Sequence, residues 1–435
     1  MNFYSLAEKR SAFFCSVVLF RLILEVGYIT YVSPRFGYSG FILDWNELKY
    51  FESWLLTLLV FSVIPWRQER VSDYLMVTTF LGLIIPLLSL YGLANHERWI
   101  VYAVLGQFSL VVIFRKGRKV HIPSMKQGRF FAVTLLFALV VSLSAWYVLS
   151  GGIRYMNFDL ARVYEFRRDA GAVVAPGLLG YVNPWIWKVF GPLLLAVALW
   201  KRWWVVAFAV VASHAFWFSV SNHKAVLFYP VIIFGMWYWF QRSRGLTILP
   251  VGFSVVVLSV LSYYLLTGDG FPASLFIRRV FYVIANNTFD YYYFFSANAK
   301  VWWANSSVTL GLLDPVYELG PAKTIGQWRG TDSHVNNSFL STGYMHGGWF
   351  GMVIYGVLAG LLFRLIDSMA RGPLPLWVAL AAVVIPARSL VLSADLPAAL
   401  LTHGIGVGIV MLWLLNSGVV QHRLAARESA VSVPR

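Results

Sequence analysis

Two polar stretches interrupt an otherwise apolar chain, and both carry arginines at spacings suited to a phosphate-bearing ligand. The first, about 150–183, holds Arg154, Arg162, Arg167 and Arg168 beside Tyr164, Asp159, Glu165 and Asp169. Arginine presents a planar fork of donors that matches phosphate or carboxylate oxygens. Gly171, Pro176, Gly177 and Gly180 let the backbone turn back. A plainer reading has even weight on spacing alone: a surface helix whose arginines meet their own Glu and Asp.

The second stretch, about 267–343, opens with Ser274-Leu275-Phe276-Ile277-Arg278-Arg279-Val280-Phe281. Leu275, Phe276, Val280, Phe281 and Ile284 recur at helical spacing, which predicts an amphipathic helix lying at a membrane interface. Its aromatics, Tyr292 among them, read as a headgroup belt, with some available to stack on sugar rings. Adjacent side chains on a helix diverge by about 100°, so Arg278 and Arg279 can face different surroundings. The stretch ends with His334, Asn336 and Asn337 just ahead of a glycine-rich helix. Such a trio can orient a hydroxyl, and a histidine can take its proton. A lone histidine is more often a loop or capping residue. Gly343, Gly347 and Gly351 recur every fourth residue, as in a helix face made for close packing.

Three more places carry charge. Lys224 follows Ser221-Asn222-His223. Arg388 and Asp395 flank a short turn. Arg21 and Glu25 stand four apart inside the first apolar run, where they are expected to pair.

These residues are positioned by apolar runs at roughly 12–32, 52–66, 73–93, 99–114, 130–149, 184–200, 204–219, 225–240, 246–266, 344–366, 374–392 and 397–416. The stretch 204–240 is too long for one crossing of a hydrocarbon core of about 30 Å, and Ser221–Lys224 divides it. The chain has 435 residues, 59% hydrophobic and 12% charged, against roughly 25% charged in soluble domains. That excludes a soluble enzyme and predicts an all-α polytopic membrane protein. It would form one integral domain (1–435) of about twelve transmembrane helices with two long outer loops, its first apolar run retained rather than cleaved. With the N-terminus inside, short inner loops hold Arg115, Lys116, Arg118, Lys119, Arg242 and Arg244. The inner C-terminal segment adds Arg423, Arg427 and Arg435, and the outer segments are nearly balanced. The net charge of +16 is thus topological, and no nucleic-acid partner is expected. Cys15 is the single cysteine. No phosphate-binding glycine loop, HExxH, CxxC or dinucleotide motif is present, so no metal and no cofactor is expected.

The two arginine-bearing loops resemble those of the Wzy-type oligosaccharide repeat-unit polymerases, the O-antigen polymerase family. The likeness rests on Val163-Tyr164-Glu165-Phe166-Arg167, Arg278-Arg279-Val280-Phe281, Asp290-Tyr291-Tyr292-Tyr293-Phe294-Phe295, and His334-Val335-Asn336-Asn337. It implies a bacterial inner-membrane protein with cytoplasmic termini and a periplasmic site. There a glycan would leave polyprenyl pyrophosphate for a sugar hydroxyl, with a chain-length regulator as a further partner. In the similar O-antigen ligases, a basic residue at the outer end of a middle helix and a histidine before a late helix line the site. Lys224 and His334 match those places. Lys224 stands where relatives often carry Arg, and lacks the bidentate fork. The resemblance implies His334, Arg279 and Arg278 as catalytic. Arg167, Arg162, Tyr164, Lys224, Asn336, Asn337, Tyr292 and Arg388 would bind substrate. An O-antigen ligase and a lipid-linked oligosaccharide flippase are the alternatives. A flippase would show repeated halves and charges within its spans, and no repeat is visible.

Overall fold

The computed structural model describes residues 3–160, 162–309 and 311–417. Arg423, Arg427 and Arg435, counted above to the inner side, lie outside the described residues. The described chain is all helical, with one isolated bridge between Arg67 and Gly245. Every predicted apolar run is helical over most of its length. Seven helices are long and apolar enough to cross a membrane. Arg98–Phe114, Lys224–Phe240 and Ile405–Asn416 are apolar but shorter. The last two runs are each divided, into Leu376–Ala381 with Val384–Leu392, and Leu396–Leu401 with Ile405–Asn416. Pro386 lacks the N–H that Ala382 would accept, which accounts for the first division.

Proline also explains three wide π turns inside the long helices. Tyr28–Val32, Phe80–Ile84 and Ile186–Phe190 each precede a proline, namely Pro34, Pro86 and Pro192. Each proline leaves the carbonyl four residues earlier (Thr30, Gly82, Lys188) without its helical donor, and the helix widens there. A fourth such stretch, Ser274–Tyr282, carries Arg278 and Arg279 and has no proline after it in the same helix.

Contacts divide the chain into two compact units. The first comprises 1–117, 243–364 and 389–397. In it Arg10–Gly27 packs on Ile248–Thr267, and Glu47–Val63 on Ile85–Leu93. The second pair approaches closely at Gly92, where a Cβ would lie 2.6 Å from the Tyr50 Cα. Arg21 and Glu25 form the expected pair, buried, at 2.7 Å. Arg21 also donates to the Ser53 carbonyl (2.9 Å), while Tyr50 (2.9 Å) and Ser89 (3.1 Å) donate to Glu25. No charge in this network is left bare.

Residues 271–297 run as one helix through the core of the first unit. Tyr282, Phe289, Tyr291, Tyr292 and Phe295 are buried, so they are not the headgroup belt expected of an interfacial helix. Their hydroxyls explain why: Tyr282 donates to Leu24 (2.9 Å), Tyr291 to Val335 (2.7 Å) and Tyr292 to Leu340 (3.0 Å). A tyrosine whose hydroxyl finds a carbonyl is buried without an unsatisfied polar group.

The glycine-rich helix Phe339–Met369 is broken at Gly347 (φ −139°) and Gly348 (φ 57°). A straight helix would separate residues 343 and 351 by about 12 Å. Instead a Cβ on Gly343 would lie 3.0 Å from the Gly351 carbonyl oxygen. The stripe of glycines therefore does not present a face to a neighbour. It lets the helix fold back across itself.

The second unit comprises 118–242, 365–388 and 398–435. Its described core sets Gly128–Leu149 against Ile405–Asn416, and packs Gly191–Lys201, Trp204–Ser221 and Lys224–Phe240 together. The expected division at 221–224 is present: Asn222 adopts a left-handed conformation (φ 55°) between the two helices.

Candidate functional site

The site residues expected from sequence fall into both units. In the second unit, Asn222 fixes the geometry. Its amide donates to Tyr155 (3.2 Å) and accepts from Asn157 (3.1 Å), fastening the start of the first arginine stretch. The helix Val163–Val174 follows. Its last carbonyl accepts from Trp146 and Asn183, each at 2.8 Å. A helix held at its end presents its exposed face reproducibly. Arg167 lies on that face, near enough to His223 for its charge to act there.

Lys188 sits in the π turn before Pro192 and contacts the His403 Nδ1 at 2.8 Å. Gly404 makes this possible. It has φ 99°, and a Cβ there would meet Val189 at 3.0 Å and Trp185 at 3.3 Å. Arg388 is close enough to repel the Lys188 charge, and Lys188 acts in turn on His403 and His223. His223, its ring 5.3 Å from that of Trp187, is driven down to about 4 by burial, with Arg167 and Lys188 adding to the effect. Lys224 lies over the Tyr164 ring at 5.4 Å. Among the described residues, every charged neighbour acting on Lys188, His223 and His403 is a cation. Lys188 is thus a half-buried cation facing the exposed Arg388, beside two histidines held neutral. Such a cation without a carboxylate is costly, and an anionic ligand relieves that cost.

Arg162 differs. It pairs with Glu165 at 2.9 Å, both side chains 57% exposed. This is the plainer reading of the first stretch, realised at one of its arginines.

In the first unit, the segment 329–338 is bolted to helix 271–297. Asn287 donates to the Asn336 carbonyl (3.0 Å), and Asn337 donates to Thr288 (3.3 Å) while accepting from the Ser338 N–H (2.8 Å). Arg329 donates to Asn287 (2.9 Å) and pairs with Asp290. Asn337 and Tyr292 are thus buried parts of the fastening, and Asn336 contributes its backbone. His334 stands exposed between these anchors, with Asp332 the nearest charge acting with it. Its ring has no hydrogen bond among the described residues, so both nitrogens remain open. Arg278 is half-buried over Phe36 (4.1 Å) and donates to Ser274 (3.3 Å). Arg279 is exposed and has no ion pair among the described residues. No hydrogen bond or ion pair joins either arginine to His334 among the described residues.

A second histidine escaped the sequence reading. His346, at the break of Phe339–Met369, donates Nε2–H to Asp395 (2.9 Å) and accepts from the Trp303 N–H at Nδ1 (3.2 Å). Burial raises the Asp395 carboxyl, but hydrogen bonds from His346 and Tyr355 outweigh it and hold the group below its ordinary value. The segment at 301–303 also donates to the carbonyls of Met345 (3.0 Å) and His346 (2.9 Å). Trp302 (φ 48°) and Trp303 (φ 61°) take left-handed backbone to do so. Such strain persists only where the surroundings enforce it. Here it braces the helix break, and both His346 nitrogens are used by the brace.

Among the described residues, no group of three or more His, Cys, Asp or Glu could hold a metal ion. No family model, curated protein or solved structure matches the chain.

Proposed function

We propose that this protein is a polymerase of lipid-linked oligosaccharide repeat units. It transfers glycan from polyprenyl pyrophosphate to a sugar hydroxyl at the outer face of a bacterial inner membrane, across which about twelve helices pass. The observation that carries this reading is the group of Lys188, Arg388, Arg167, His223 and His403, in which no acid acts on Lys188 or on either histidine among the described residues. A departing pyrophosphate develops negative charge, and fixed cations stabilise it without a covalent partner. In the first unit His334, whose ring has no hydrogen bond among the described residues, is given the acceptor proton on the resemblance alone. Arg279, exposed and without an ion pair among the described residues, is given a phosphate-binding role on the same resemblance. Among the described residues no carboxylate pair suggests a covalent glycosyl intermediate, so the displacement is read as inverting the anomeric centre.

A deletion strain complemented with variants tests this on a surface-polysaccharide gel. Wild type restores the ladder. Lys188→Ala and His334→Ala each lower the polymerisation rate by about a hundredfold, the scale of a lost electrostatic donor or general base. They lose long chains while single-repeat caps persist. Loss of the single-repeat form in the deletion strain would instead indicate a ligase or a flippase.

A further inference from the structure

A polar cavity of about 480 Å³ opens in the first unit, where Glu47–Val63 ends, Val71–Leu93 begins and Arg98–Phe114 ends. Three apolar helices ending together mark a membrane boundary. Ser62, Val63, Ile64 and Trp66 form one wall, and Arg67, Arg70, Arg115 and Lys116 supply the cations. The acids are largely spent within the fold. Asp73 pairs with Arg115 at 2.8 Å, and its other oxygen accepts from the Glu69 (3.0 Å) and Arg70 (2.8 Å) N–H groups. Glu8 holds Arg67 at 2.6 Å and accepts from Arg244 N–H at 2.8 Å. Glu69 is the one acid lining the cavity that has no ion pair among the described residues. Arg10 adds a further cation over Trp66 (5.0 Å).

Arg70 and Lys116 have no ion pair among the described residues. Arg115 is 6% exposed, and its Nε–H has no acceptor among the described residues. A buried guanidinium N–H without an acceptor costs free energy, which an incoming anion recovers. We propose that this cavity binds a phosphate anion borne by an acidic phospholipid headgroup. Arg70 and Lys116 would contact the phosphate, Arg115 Nε–H would donate to it, and Val63 and Ile64 would border the first acyl carbons. Basic pockets at the ends of membrane helices take such headgroups. The volume exceeds a bare phosphate and suits a glycerophosphate. This site is independent of the polymerase reading.

The full chain in discs of phosphatidylcholine with graded phosphatidylglycerol tests the proposal, read by lipid retention in native mass spectrometry and by melting temperature. Wild type retains phosphatidylglycerol over phosphatidylcholine and melts higher with it. Arg70→Ala with Lys116→Ala lowers that preference by about thirtyfold, and Lys126→Ala, outside the cavity, leaves it intact. Should the double variant not fold, Lys116→Ala alone reduces it by about fivefold. Equal retention of the two lipids by wild type, or an undiminished preference in the folded variants, overturns the site. Equal stabilisation by inorganic phosphate overturns the lipid as its source.

Discussion

Several buried guanidiniums of the first unit and the half-buried Lys188 of the second are treated in opposite ways. In the first, Arg21 has Glu25, Arg115 has Asp73 and Arg329 has Asp290. In the second, Lys188 and the two neutral histidines His223 and His403 feel no acid among the described residues, only Arg388, Arg167 and Lys188 itself. A charge paired by its own chain is scaffold: the partner offsets desolvation and fixes geometry. Lys188 beside Arg388 holds repulsion that folding alone leaves in place, and an anion brought from outside removes it. Burial by itself does not separate these cases. Partner chemistry does.

Breaking the scaffold side should give the largest effect. Arg21→Ala leaves Glu25 buried without its cation, and the cost of such a loss is about 3–5 kcal/mol. A large fall in melting temperature in detergent is expected. Arg21→Met with Glu25→Gln removes both charges and should recover part of it. If Arg21→Ala melts like wild type, the pair is not what holds these helices together.

The cluster side is sharpened by pH, with a smaller effect. His223 is held near 4 in the folded chain, against about 6.5 in an unfolded one. Between those values the unfolded chain binds the extra proton, so stability rises with pH across the window. Its contribution is fully present above about pH 6.5 and is lost as pH falls toward 4. His223→Gln should flatten that slope in melting curves taken between pH 4 and 7. An unchanged slope would show that His223 is not held below its ordinary value in the folded chain.

Most of the helical layout is legible because it is local. Apolar runs and the break at 221–224 follow from period and length, and Pro34, Pro86 and Pro192 announce the π turns. The glycine stripe at 343, 347 and 351 is legible only as close packing. Whether a neighbour or the same helix makes the approach depends on the tertiary fold. The belt reading of helix 271–297 fails for a related reason: tyrosines suit a headgroup layer and a core with spare carbonyls equally well. Lys188 and His403 lie 215 residues apart, and no local pattern joins them. One signal was available, since a lysine inside an apolar run is costly and calls for a partner or a ligand. His346 gives no such signal, because its acid arrives from residue 395.

The smallest effect separates two arginines of one element. Arg162 and Arg167 read alike in sequence, five residues apart in the same polar stretch. Arg162 is spent on Glu165 in an exposed pair, a contact worth about 0–1 kcal/mol. Arg167 has no ion pair among the described residues, and its charge acts on His223. Arg162→Ala should therefore leave both melting temperature and chain length close to wild type. Arg167→Ala should shorten chains while melting unchanged, because only the ligand loses a contact. Lys at 167 should restore part of the length, since charge returns without the bidentate fork. Equal behaviour of Arg162→Ala and Arg167→Ala on the gel would mean that pairing within the chain does not distinguish scaffold from site, and the contrast between the units would fail with it.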